Sequence, residues 1–583
     1  MVLDHPISYK KLSHANSNVG NFQIFDLRSS TLITLANSGT SFYRMDLLLF
    51  CALFGFSWAA KTSPEVSTSL GRLKGAVLES RNGREYLAFT KVPFAKPPLG
   101  ELRFKDPVSP EPWSGILDAS KPHPPCYQIL SNLPMGAEDC LYLNVYTPKT
   151  SGSLPVMIYF FGGGWRMGMP GPSTGAKYFM DEDVVLVTIN YRLGALGFLS
   201  TEDEKIPGNM GLKDMVAAVE WIKNEISNFG GNPNQITAFG LSAGAASAHY
   251  LCALPRSRAL LKGCISQSGV GGSHWSLQKP GNAKRSALTV AKAVGCNSED
   301  IPTCLQSKTI EEITKAQDKL RFWVEEPLII YGPVLEPKLN GSLLTEWPVT
   351  DSNFPWLTGV SSREGLFKSL ALTHLKDKPI MAEFLEKKDE YLRRMLNLPE
   401  NNKNAVSKIF EKFFPDNDVE QGIEKLYTEG YFVYPALYEL KKHKGPKYFY
   451  VFNATGAPSI WESLLRRKID TTSGVAHGDD LVFFFDLSYI PGIGKSVKSQ
   501  PENVQISQKL IRLWVNFAKH QKPTAEGEQP VWPEFDNSGK YLYISTENII
   551  EKELTNTDEV LRFWDDIFKT TDKDNSLSGS DEL

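Results

Sequence analysis

The sequence predicts an α/β fold: a large, mostly parallel central sheet flanked by helices, in a single domain with helical insertions. Three observations carry that expectation. Residues 154–161 and 184–190 are continuous apolar runs, as strands buried on both faces require. Helical patterns follow such runs: across 214–229, Val216, Val219, Trp221, Ile222 and Ile226 recur at helical spacing. Finally, no low-complexity linker and no repeat divides the chain. Strands alternating with helices argue a parallel sheet covered on its faces.

The elements follow in order. Residues 71–75 and 85–89 read as short early strands, and a proline-rich stretch spans 93–98. Residues 236–239 form a further strand, and a helix starts in 245–251. From about residue 284 to 396 helical patterns dominate, which we read as insertions around the sheet. An apolar run at 481–485 reads as strand-like.

The chain has 583 residues, 42% apolar and 22% charged, a composition typical of soluble globular proteins. Net charge is -3 with no basic stripe, so neither nucleic acid nor an anionic membrane surface is an expected partner. The apolar run at 47–58 is shorter than the roughly 20 residues a bilayer requires. With small residues at Ser57 and Ala59 it reads as a signal peptide over 45–59, starting at Met45. Asp46 departs from the usual positive charge there. Residues 1–44 are then a non-native or disordered leader, 64–570 the folded domain, and 571–583 a disordered polar tail.

A signal peptide implies the secretory pathway, where the seven cysteines can pair; Cys51 leaves with the signal. Asn340 and Asn453 stand in glycosylation sequons. The chain ends in Ser-Asp-Glu-Leu, one residue from a Lys-Asp-Glu-Leu retrieval signal, so secretion and retention in the endoplasmic reticulum both stay open. No metal-ligand cluster and no cofactor motif appears, so neither is expected; composition leaves oligomeric state open.

The chemistry centres on Gly240-Leu241-Ser242-Ala243-Gly244. A serine hydroxyl is a poor nucleophile unless exposed on a tight turn beside a base. Flanking glycines permit that turn, and the motif sits between a predicted strand and a predicted helix, the context of a nucleophile elbow. Phe161-Gly162-Gly163-Gly164-Trp165 ends an earlier apolar strand. Attack on an acyl carbon creates an oxyanion, and the amides of Gly163, Gly164 and Ala243 would supply its donors. Removing one such donor typically costs about 3–4 kcal/mol of transition-state stabilisation. The base and acid should follow in the order serine, acid, histidine. His477, on a glycine-flanked loop, is well placed for proton transfer, whereas His249 lies on the nucleophile's own helix. Glu364, after a short apolar strand, is a candidate acid that spacing alone does not select over other carboxylates.

These residues complete a resemblance. From about residue 66 to 568 the chain resembles the type-B carboxylesterases, the cholinesterase-like branch of the α/β hydrolases. Residues 138–146 and 239–247 look like that family's two signatures; 98–104, 190–198, 208–214 and 267–269 match further. The resemblance implies the α/β-hydrolase fold and hydrolysis of small-molecule carboxylic esters through an acyl-enzyme, without cofactor. It implies Ser242 as nucleophile, Glu364 as acid and His477 as base. It implies disulfides Cys126–Cys140 and Cys296–Cys304, ion pairs Arg103–Glu138 and Arg192–Asp214, and an acyl-pocket role for Trp275.

Three departures stand out. Leu241 replaces the usual glutamate before the nucleophile, which resembles insect detoxifying esterases more than acetylcholinesterases. Phe161 stands where histidine or tyrosine is common, so no polar group is expected to support the oxyanion loop. Asn232 replaces an aspartate. With Phe161, Trp165, Leu241 and Trp275 as an apolar wall, the expected substrates are apolar esters. Two rival readings are a slow scavenger of reactive esters or organophosphates and a non-catalytic adhesion protein; the complete set Ser242, Glu364 and His477 speaks against the second.

Overall fold

Burial on both faces turns the apolar runs into the middle of one eleven-stranded sheet. The computed structural model describes residues 63–577 except 131, 171–174, 298–299, 347–352, 376–378, 401, 466–471 and 488–499. The leader and signal peptide expected at 1–59, and residues 578–583, lie outside the described residues. In chain order the strands are β1 (Ala76–Glu79), β2 (Glu85–Pro93), β3 (Tyr142–Thr147), β4 (Leu154–Phe160), β5 (Val185–Ile189), β6 (Gly231–Leu241), β7 (Gly263–Gln267), β8 (Trp356–Ser361), β9 (Lys447–Asn453), β10 (Lys540–Ser545) and β11 (Ile549–Glu553). Their order across the sheet is β11-β10-β9-β8-β7-β6-β4-β5-β3-β2-β1.

The pairings from β10 through to β5 are parallel. Those at both margins are antiparallel, so the sheet is mixed with a parallel centre. Every residue of β5, β7 and β8 is buried, as continuous apolar runs predict. Helices cover the faces, among them α1 (Met210–Glu225), α2 (Ala243–Ala253), α3 (Leu366–His374), α4 (Pro501–His520) and α5 (Thr557–Leu577). In α4, Leu510, Leu513, Trp514 and Phe517 form the buried stripe. The helix-rich stretch expected after residue 284 supplies helices between β7 and β9, leaving the sheet order intact.

Two local expectations are corrected. Residues 481–485 are not a strand: Leu481–Phe484 is a helical turn with Val482, Phe483 and Phe484 buried. A short run buried on all sides carries no periodicity that separates the two states. The polar tail expected from residue 571 begins instead as helix, because α5 continues to Leu577. Extending a formed helix fixes one residue per added hydrogen bond, so a nucleus built on apolar residues carries polar ones with it.

Both disulfides close, Cys126–Cys140 and Cys296–Cys304, while Cys252 and Cys264 are buried free thiols. Arg103 grips Glu138 with two nitrogens and also donates to the carbonyls of Leu305, Gln306 and Lys308, tying the two disulfide-bearing segments together. Arg192 and Asp214 form a buried bidentate pair at 2.7 and 2.8 Å. Arg192 also donates its backbone amide to Asp214 and a guanidinium nitrogen to the carbonyl of Lys105, so it fastens the turn after β5 to α1.

Breaking a buried pair by removing one partner strands a charge. Arg192→Ala is expected to lose about 3–5 kcal/mol of unfolding free energy in urea; a loss below about 1 kcal/mol, the range of exposed pairs, would contradict this account. A second expectation concerns Glu439, buried in the helix Tyr434–Lys442 and pressed against Gly272. Burial pushes its carboxyl from 4.5 up to about 7, with Lys442 opposing. The folded value lies above the unfolded one. The associated stability is therefore full below pH 4.5 and gone above about pH 7. Glu439→Gln should match the parent near about pH 4 and exceed it by about 2–3 kcal/mol near about pH 8, read from urea unfolding across pH.

Candidate active site

The Ser242 turn is built by what cannot fit there. β6 ends at Leu241 and α2 begins at Ala243, leaving Ser242 at φ 57 and ψ -125. A non-glycine residue in that region stores about 1–3 kcal/mol of strain. The two glycines of the motif allow a close approach. A β-carbon on Gly240 would lie 2.5 Å from the backbone of Gly244, and one on Gly244 would lie 2.0 Å from the carbonyl oxygen of Phe160. The Ser242 amide donates to the Gln267 carbonyl at 2.8 Å, pinning the turn to β7. Gly269 crowds Ser242 from the same side, a β-carbon there standing 2.5 Å from the serine carbonyl.

The glycine triplet passes over this turn. A β-carbon on Gly162 would meet the Leu241 carbonyl at 2.7 Å and Cβ of Ser242 at 3.0 Å. Gly163 and Gly164 take φ values of 113 and 62. Among the described residues, the amides of Gly163, Gly164 and Ala243 donate to no protein acceptor. The loop is held from outside: the Gly163 carbonyl accepts from the amides of Arg166 and Met167 at 3.1 Å each. Gln128, between Cys126 and Cys140, exchanges two 2.8 Å hydrogen bonds with the backbone of Gly168.

Polar support for the loop exists after all. The Tyr191 hydroxyl donates to the Phe161 carbonyl at 2.7 Å, and its ring stacks on Phe161 at 4.3 Å. Tyr191 precedes Arg192, so the buried ion pair braces this contact. Trp165 is fully buried, and its indole N–H donates to Ser247 Oγ at 2.9 Å. Phe161 turns into the Tyr191 stack and is likewise buried. Leu241 faces the His477 loop, its Cδ2 standing 3.3 Å from where a Gly478 β-carbon would be. Trp275 is buried between Trp165 and Phe432, with ring centroids 5.9 and 6.0 Å away.

Glu364 and His477 are brought together directly. Glu364 follows β8 and is fully buried. Its Oε1 accepts from the Ser361 amide at 2.7 Å, and its Oε2 accepts from His477 Nδ1 at 2.6 Å. With Nδ1 donating to the carboxylate, the lone pair of the neutral ring falls on Nε2. The two loops are zipped by backbone bonds from Arg363 N to the Val475 carbonyl and from His477 N to the Glu364 carbonyl. Asp479 ties down the histidine loop, accepting from the Ala476 and Ile460 amides and from Ser459 Oγ. Trp461 donates its indole N–H to the His477 carbonyl at 2.7 Å, and Phe432 and Phe367 pack on the imidazole at 4.6 and 5.5 Å.

Ser242 Oγ makes no hydrogen bond to His477 among the described residues. Gln267 links the two halves: its carbonyl holds Ser242, and its Nε2 donates to Asp480 Oδ2 at 2.7 Å. Burial pushes the Asp480 carboxyl up to about 6, against the Gln267 bond and helped by the charge of Glu364. Catalytic hydrogen bonds often tighten only when substrate is bound. His249 faces away, stacked on Trp356 at 4.6 Å and accepting from the Gly271 amide; burial lowers it to about 3.

The acceptor asparagines part company. Asn340 is exposed. Asn453 ends β9 with its amide engaged: Nδ2 donates to the Tyr543 hydroxyl at 2.7 Å and Oδ1 accepts from Ser362. Asn453 is half-buried, so the two sequons stand in different surroundings.

Comparison with known proteins places this geometry. Residues 62–564 match the family model described as "Carboxylesterase family". A carboxylic ester hydrolase of Bombus ignitus is 33% identical, covering 92% of this chain and 99% of that protein. Juvenile hormone esterase of Tribolium castaneum is 34% identical, covering 82% and 88%. A crystal structure of juvenile hormone esterase from Manduca sexta, with OTFP covalently attached, superposes with a TM-score of 0.78 at 28% identity, covering 87% of this chain and all of that one. With its parallel-centred sheet, its glycine-framed serine and a match over most of its length, the chain belongs to the carboxylesterase family.

Proposed function

We propose that this protein hydrolyses carboxylic esters through an acyl-enzyme on Ser242, with His477 as base and Glu364 as its orienting acid. The observation that carries the residue roles is the 2.6 Å bond from His477 Nδ1 to Glu364 Oε2, on a loop pressed against Leu241. That bond sets the tautomer in which Nε2 takes a proton. In the first step His477 Nε2 removes the Ser242 hydroxyl proton as Oγ bonds to the acyl carbon. The amides of Gly163, Gly164 and Ala243 receive the oxyanion. Collapse breaks the carbon–oxygen bond to the alcohol, which leaves with the proton from His477. Water, deprotonated by the same nitrogen, then attacks the acyl-enzyme; collapse breaks the acyl bond to Ser242 Oγ, which takes the proton back from His477 as the acid leaves. Glu364, accepting from Nδ1, orients the ring and stabilises the imidazolium.

The names of its relatives span several substrates, among them juvenile hormone esterase and acylcarnitine hydrolase. The substrate class is therefore argued from this chain's own surroundings. Leu241 supplies no charge beside the nucleophile, and Phe367, Phe432 and Trp461 surround the histidine with aromatic faces. These features favour neutral, apolar esters. Two disulfides and the exposed Asn340 sequon support a secretory-pathway setting.

Ser242→Ala is expected to lower kcat about 10⁴–10⁶-fold on 4-nitrophenyl acetate while leaving thermal unfolding unchanged within about 1 kcal/mol. The parent should turn over steadily; a burst of one equivalent followed by near-zero turnover would instead establish the scavenger reading. Across a substrate panel, neutral apolar esters should exceed quaternary-ammonium isosteres in kcat/KM. The reverse order would mean that a charge-recognising element has been overlooked near Leu241.

A further inference from the structure

A cleft of about 620 Å³, within the size range of small-molecule sites, is lined by none of Ser242, Glu364 and His477. Its rim carries Lys279, Arg285, Lys319, Arg393 and Arg394, with Glu400 as the carboxylate among its lining residues. The chain as a whole is negative, so this concentration of cations is local. Neither Arg285 nor Lys319 has a carboxylate partner among the described residues; Arg285 donates to Asn282 Oδ1. Arg393 approaches Glu400 only to 3.9 Å. Arg394 pairs with Glu390 at 2.8 Å and lies over the Phe322 ring at 3.8 Å.

The floor is the opposite in character. Trp275, Ile329, Met395 and Tyr431 line it, each buried. The floor is joined to the proposed catalytic centre through its neighbours. Ile329 Cδ1 stands 3.2 Å from where a Gly164 β-carbon would be. Tyr431 belongs to the π-helical segment Tyr427–Val433, whose next residue, Phe432, packs on His477. Trp275 donates its indole N–H to the Tyr431 carbonyl at 2.8 Å.

Cations above an aromatic and aliphatic floor match one kind of molecule. We propose that this cleft is a second ligand site, for an organic anion with an apolar body, of which a long-chain carboxylate is the simplest member. The head group would be held by the rim cations through charge-assisted hydrogen bonds, and the body would cover the floor. The proposal stands apart from the hydrolytic reading, because binding here involves no bond made or broken.

The test is calorimetric titration of the full chain carrying Ser242→Ala with dodecanoate below its micelle concentration. Dodecanoate should bind saturably and weaken as sodium chloride rises. Acetate and dodecyltrimethylammonium should bind far more weakly. Adding Arg285→Ala with Lys319→Ala should weaken dodecanoate about tenfold or more, and Arg285→Lys should retain most of the affinity. On the Ser242 parent the same pair of alanines should leave kcat/KM for 4-nitrophenyl acetate unchanged. Absence of saturable binding, equal affinity for the cationic amphiphile, or indifference to the double substitution would overturn the proposal; the last would place the carboxylate in the catalytic pocket. Loss of esterase activity in the parent would bear only on the hydrolytic reading.

Discussion

The structure turns on a steric constraint: Ser242 can stand proud of the sheet only if nothing larger than hydrogen occupies positions 240 and 244. The Phe160 carbonyl lies where a β-carbon on either glycine would come within 2.6 Å. β4 and β6 are adjacent parallel strands, so the end of one delivers the glycine triplet directly over the end of the other. The serine, its strained backbone and the loop above it are thus consequences of a single strand pairing. The acid and the histidine arrive by the same logic from β8 and the segment after β9, at the same end of the sheet. Parallel strands bring residues far apart in the chain to one edge, where side chains from several loops converge.

Much of this was legible in the sequence. Gly240, Ser242, Gly244 and the triplet at 162–164 announce themselves because backbone geometry demands glycine there, and the demand shows as spacing. The buried strands are legible because two covered faces leave no polar position. Arg103, Glu138, Arg192 and Asp214 were readable only through family resemblance, since nothing local marks a charge that will be buried. What failed was tertiary in origin. Tyr191 supports the glycine loop across a strand pair, so inspection of Phe161 alone missed it. The left-handed backbone of Trp165, at φ 54, and the full burial of its side chain likewise have no local signal. Phe367, Phe432 and Trp461 lie on helical segments with no motif, and only the fold gathers them at His477.

The interior also balances opposing titrations. Burial holds His249, His274 and His443 as neutral rings, at about 3, 3 and 4. Burial holds Glu439 and Asp479 near 7 and Asp480 near 6. Acidification charges the histidines of the unfolded chain before those of the folded one and so favours unfolding. Alkalinity does the same through the carboxyls. The two groups pull in opposite directions between about pH 4 and 7, so their contributions to stability offset one another there.

Gln128 gives the Cys126–Cys140 bridge a reach beyond its own loop. The covalent link confines residues 126–140, and Gln128 within them clasps Gly168, four residues past Gly164. Closure of the bridge therefore bears on the glycine loop at one remove. Without that link residues 126–140 regain chain entropy, and the Gln128 hydrogen bonds have more freedom to overcome when they form. A covalent link in one loop thus sets how firmly a second, non-covalent one is held.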